Sequence, residues 1–144
     1  MHPRPTYDDA NLILRLYEMR RDERMRQARA WFTASCKGVQ SYEQLLKIAP
    51  AGSDENASYR MVVSYWDLVA SFMVSGILHK ELFFQSGREL LLVWERIRDF
   101  LPSVREAYKD PAYLKNLETA GTEFAAYLHS HGPEAYDAFQ KRVK

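Results

Sequence analysis

A single cysteine, Cys36, excludes an internal disulfide, so stability must come from an apolar core. Charge of one sign is equally scarce. There are 20 basic and 19 acidic side chains, for a formal net charge of +1. Residues 1–72 carry ten and nine of these, and residues 73–144 carry ten and ten. Counterion-release binding to nucleic acid needs a concentrated basic face, and neither half offers one. Long apolar runs are missing too. The stretch Met61–Leu78 contains Asp67, Tyr65 and three serines, whereas a membrane span needs about 20 mostly apolar residues. It therefore reads as a buried helix, and no membrane span is expected. The residues from Met1 to Asp9 form no apolar signal region. With one cysteine, the expected location is the cytoplasm.

Local catalytic patterns are also absent. There is no Gly-rich phosphate loop, no G-x-S-x-G elbow and no paired-carboxylate motif. No catalytic residue is assigned and no cofactor is implied, although catalytic groups can lie far apart in sequence. His2, His79, His129 and His131 lack a companion Cys pair or Glu-x-x-His, so no metal site is expected. Cys36 beside Lys37 reads as a small hydrophobe near a helix end.

What remains is helical spacing, with no period-2 strand and no repeat. The chain reads as all-α: one domain, 1–144, with a bundle of about five to seven helices and a long N-terminal helix over 7–37 ahead of a helical core, 41–144. Thr6 is an N-cap candidate, with Asp8 and Asp9 in the first turn, and Gly38 marks the far end. A straight helix over 7–37 would be about 46 Å long, against a domain diameter of roughly 37 Å. Its apolar residues do not form one stripe. Leu12, Ile13, Leu16 and Met19 share a face, Met25, Ala28 and Phe32 lie on another, and Arg20–Arg24 between them is wholly charged. A bend near Arg20–Arg24 or two different packing partners follows.

Downstream, Ser41-x-x-Gln44 has capping-box form, Pro50 stops the helix it starts, and Ser53 caps a helix reaching Gly76. Residues 78–85 form a short helix. A stripe from Leu90 to Leu101 runs into Pro102, which must kink or end it. Asp110-Pro111 signals a helix from Ala112 to His129, with Gly121 weakening its middle. Gly132-Pro133 precedes a last helix.

From Trp66 to Glu118 the chain resembles an uncharacterised bacterial helical family, domain-of-unknown-function family 4760. The matching pieces are Asp67 to Gly76, Lys80-Glu81-Leu82, Val93-Trp94-Glu95-Arg96-Ile97, Leu101-Pro102, Arg105 and Pro111 to Glu118. The resemblance implies an α-helical fold and supplies no reaction.

Three functional readings follow. The leading one is a module for protein–protein contact or self-association, giving a homo-oligomer or a complex through Leu12, Ile13, Leu16 and Met19. The second is a small-molecule pocket near Trp66, Asp67 and Trp94. There Asp67, the only charge between Met61 and Leu78, would meet Arg88, Arg96 or Arg105 in a buried polar network that includes Glu95. The two indoles would face each other across neighbouring helices. The alternative for Asp67 is a structural ion pair that sets helix register. The third reading is nucleic-acid binding through the six arginines of Arg15–Arg29. These interleave with Glu18, Asp22 and Glu23, whose i,i+3 and i,i+4 spacing also suits a self-compensated solvated face.

Overall fold

The computed structural model describes residues 4–144; His2 lies outside them. The described residues form nine α-helices and no strand: α1 (Tyr7–Arg20), α2 (Glu23–Ser35), α3 (Tyr42–Ile48), α4 (Asp54–Val74), α5 (Lys80–Phe84), α6 (Arg88–Ile97), α7 (Leu101–Tyr108), α8 (Lys115–His131) and α9 (Pro133–Val143). The fold is all-α as expected, but the count exceeds five to seven for two reasons. The N-terminal helix is cut in two, and the turn through Phe100 makes α7 a helix of its own, with Pro102 in its first turn.

The first cut corrects the long helix over 7–37. α1 ends at Arg20, and Asp22 starts α2 by accepting the Met25 N–H at 3.2 Å. Asp22 is thus an N-cap and makes no ion pair with Arg26 among the described residues. The joint is clamped by Glu89 of α6. Its carboxylate takes Arg29 in a two-point grip (2.8 and 2.7 Å) and Arg20 at 3.2 Å, while Arg29 Nη1 donates to the Arg20 carbonyl. Paired guanidinium–carboxylate bonds are among the stronger polar contacts. They keep Arg29 protonated, its pKa raised first by the Glu89 hydrogen bond against the cost of burial. The bend lets α1 return to its own core. Leu16 is buried, Leu12 and Ile13 are partly buried against it, and Met19 stays exposed. The face proposed for association is therefore turned mostly inward.

α4 is the central element and packs against α2, α8 and α6; α8 also carries α6 and α9. The buried side chains form one contiguous core around Tyr59, Trp66, Leu91, Phe100 and Phe124. Ser53 caps α4 through the Asn56 N–H, and Gly76 lies at φ +80 just beyond its end. Thr6 and Asp9 complete a reciprocal capping box on α1.

α8 begins three residues later than expected. Asp110 accepts the Ala112 N–H in a local turn, and Leu114 takes a left-handed conformation (φ 56) that is costly for a branched residue. Burial of the Leu114 side chain holds it there. Gly121 does not merely weaken α8: a Cβ there would sit 2.3 Å from Trp94 Cγ. The glycine lets α8 lie directly on the indole of α6. Gly121→Ala should therefore destabilise the protein by about 1–3 kcal/mol through overpacking, measured as a lower urea midpoint with an unchanged m-value. An unaltered midpoint would show that Trp94 can move aside at no cost.

Candidate functional site

The residues expected to build one polar network are distributed over separate places. Asp67 meets none of the three arginines. Its Oδ1 accepts the Leu117 N–H at 2.9 Å, so a carboxylate from α4 caps the start of α8, where Leu114 offers no capping side chain. Burial raises the Asp67 pKa, and the Leu117 bond opposes the rise. Arg105 binds the Tyr113 carbonyl and Glu118 at 2.9 and 3.0 Å, closing the turn between α7 and α8. Burial works against the Glu118 charge, but Arg105 and Lys115 more than offset it and its pKa is lowered.

Glu95 and Arg96 are neighbours on α6 and both are buried, Glu95 completely. Their partners come from other helices. Glu95 accepts from the Tyr136 hydroxyl (2.6 Å) and Gln140 Nε2 (3.0 Å) of α9. Arg96 donates to the carbonyls of Phe32 and Thr33 at the end of α2 and of Val143 at the end of α9. Arg88 is exposed and outside this cluster.

The two indoles do not face each other. Trp66 pairs with Tyr65 and Phe83, and Trp94 lies beneath Gly121 and Arg98. Trp66 Nε1 is buried with no hydrogen-bond partner among the described residues, and Trp66 lines a cavity of about 100 Å³ whose walls include Tyr17, Arg20 and Phe83. Arg20 covers the Trp66 ring, 5.4 Å from its centroid. Of the six arginines over 15–29, Arg20 and Arg29 bind Glu89 and Arg24 binds Ser58. Arg15, Arg21 and Arg26 are exposed. Cys36 is fully buried, and burial pushes its thiol up to about 12.

A larger concavity lies elsewhere, between the α4–α5 junction and the C-terminal half of α8. It has a volume of about 560 Å³. Met73, Leu78, Phe84 and Tyr127 give it apolar and aromatic surfaces. Phe84 stacks on Phe124 at 4.4 Å, which stiffens the floor. The polar side chains gather on the rim. Lys80 and Glu123 form an ion pair at 2.8 Å with both side chains about 40% exposed (38% and 41%), close enough to solvent to rearrange. His131 stacks on Tyr127 with centroids 4.2 Å apart, and its Nδ1 lies 2.8 Å from the Tyr127 carbonyl. A carbonyl can only accept, so that nitrogen carries the proton. In the neutral ring Nε2 is then the acceptor.

His79 caps α5 through Nδ1, which accepts the Leu82 N–H, and its own N–H donates to Asp9 on α1. Asp9 thereby ties α1 to the edge of the cleft. Among the described residues, no group of three His, Cys, Asp or Glu side chains is arranged to hold a metal ion. None of their helices is long and apolar enough to cross a membrane.

The cleft was not anticipated from the sequence, but α8 carried a signal for it. Glu123, Tyr127 and His131 recur at i, i+4 and i+8, a stripe beside the core positions Phe124 and Leu128.

A family described as Domain of unknown function (DUF4760) matches residues 5–123. No curated protein and no solved structure matches the chain.

The Asp9 carboxylate makes the edge of this site pH-dependent. N–H donation from Thr6 and then His79 holds its pKa below the usual value, with burial acting in the opposite sense. A lowered folded pKa means that the stabilisation is present above the ordinary carboxylate range and lost as pH falls through the folded value. Urea denaturation should show stability falling below about pH 4, and falling less steeply in Asp9→Asn. Identical pH slopes for the two proteins would remove Asp9 from this role.

Proposed function

Because the chain belongs to the DUF4760 family, whose function is unknown, we propose its role from its own geometry: a binding domain for a small amphipathic molecule. The observation that carries this reading is the cleft of about 560 Å³ with an apolar, aromatic floor and a polar rim. Ligand sites are commonly concavities of roughly 300–1,000 Å³ with that division of surface. The ligand chemistry follows from the lining. An apolar or aromatic body fits against Phe84 and Tyr127. The rim opposes Lys80 to Glu123 and Glu81 and adds the His131 ring. Such a compensated rim suits a head group carrying both donors and acceptors better than one of high charge.

A second reading rests on α1. Leu12, Ile13 and Leu16 pack inward, but Tyr7, Leu14 and Tyr17 remain 90%, 60% and 51% exposed. With Ala10 they recur at spacings of three and four, the seam spacing by which helices pair. This outer stripe, rather than the face of Leu12, Ile13, Leu16 and Met19, is the surface that supports self-association with a second copy. A pair of helices this short would bury less than a stable interface requires, so the dimer would be weak and concentration-dependent.

For the ligand reading, a thermal-shift screen of amphipathic compounds should find members that raise Tm by several degrees. Ala126 lines the cleft from an exposed position on α8. Ala126→Trp should fill the cleft, leave the unliganded protein folded and abolish the shift. Ligand shifts that survive this substitution would place binding elsewhere, and no stabilising compound across the screen would end the reading. For the second, sedimentation velocity should show a mass that rises with concentration in the wild type and stays monomeric in Leu14→Glu. A monomer at every concentration rules out self-association through α1.

A further inference from the structure

The buried charges of α6 are spent on α9. Glu95 has no exposed surface, and its close partners are the neutral donors Tyr136 and Gln140. The cations stand farther off, Arg98 at 3.4 Å and Lys144 at 3.9 Å. Burial and the bond donated to Glu95 push the Tyr136 phenol up to about 12, so it remains a donor. Arg96 takes the last carbonyl of α9 and binds the end of α2 through Nη1. A buried carboxylate contributes little net stability in such a setting; the best-attested use of such groups is to select one partner and one register.

α9 itself presents the pattern of a helix laid in a groove. Tyr136, Phe139, Gln140 and Val143 stand at i, i+3, i+4 and i+7, with Phe139 and Val143 buried. At 11 residues it is shorter than the roughly 12–15 needed for a helix to be even marginal alone. It joins α8 through Gly132-Pro133. The family match covers Glu95 and Arg96 but ends at residue 123, before α9 begins.

We propose that α6, α8 and the end of α2 form a helix-binding groove that α9 fills in its own chain and that also accepts α9 from a second copy. Glu95 reads a phenol and an amide one turn apart. Arg96 reads the free carbonyl where the helix ends. The floor takes an aromatic and then a branched apolar side chain. Exchange of such an element reproduces every native contact in trans, so nothing new has to be built for two chains to associate through it.

The test uses the full-length protein and a fluorescently labelled peptide of residues 132–144. The anisotropy should rise and saturate below about 1 mM peptide, competition from the resident α9 weakening the apparent affinity. A peptide with Tyr136→Phe and Gln140→Leu should bind at least about tenfold more weakly, since the buried Glu95 carboxylate then loses both of its close donors and keeps only the longer contacts to Arg98 and Lys144. Hydrogen exchange should show α9 amides opening well before those of α4. Absence of saturable binding, equal binding of the altered peptide, or α9 amides that exchange only together with α4 each overturns the proposal. The peptide should bind the Ala126→Trp and Leu14→Glu proteins as it binds the wild type, which separates this groove from the cleft and from the outer face of α1.

Discussion

The seat of α8 on α4 and α6 is the constraint on which the remaining geometry depends. Two contacts define it. At one end the Asp67 carboxylate reaches from α4 to the Leu117 N–H, and at the next turn Gly121 lets the helix backbone lie on the Trp94 ring. The first satisfies a helix terminus that the left-handed Leu114 leaves uncapped. The second sets the interhelical spacing by the absence of a side chain. With α8 so placed, Phe124 meets Phe84, and Tyr127 and His131 come to face the α4–α5 junction. The same placement leaves α9 to return along α6.

The interior charges work as joints between helices. Glu89 holds the α1–α2 bend to α6, Glu95 holds α9, Arg96 gathers the ends of α2 and α9, and Arg105 closes the turn before α8. Glu89 and Glu95 act on side chains of other helices, whereas Arg96 and Arg105 take backbone carbonyls at or beside helix ends. This explains why the charged residues expected to meet in one buried polar network separate in space: Asp67, Glu95, Arg96 and Arg105 each have their own partners on other elements. The cleft uses few of them. Its rim is an exposed ion pair and a histidine stacked on a tyrosine, a surface open to rearrangement beside a floor that is not.

Much of the helical architecture was legible beforehand, and for identifiable reasons. Thr6, Ser41 and Ser53 announced their helices because capping is a matter of three or four adjacent residues. The change of apolar face across Arg20–Arg24 signalled the bend between α1 and α2. The delayed start of α8 was not legible, because the proline signal at Asp110-Pro111 competes with a cap supplied by a residue 50 positions upstream. The cleft was missed because Lys80 and Glu123, or Tyr127 and Phe84, are neighbours only after α5 and α8 pack. The part of it written along one helix, Glu123, Tyr127 and His131, was there to be read.

Sequence alone determined that the chain is helical, where most of its helices begin, and that it falls in a family recognisable from Trp66 to Glu118, since capping, periodicity and local motifs are properties of neighbouring residues. Tertiary structure decided which way each helix turns its faces, and with that the roles of individual side chains. Leu16 went inward while Leu14 stayed out, Asp67 became a cap, and Gly121 became a contact. The reason is physical: an apolar stripe states that a face will be buried, but only the packed neighbour determines against what, and a buried charge takes whichever polar group lies within hydrogen-bond reach.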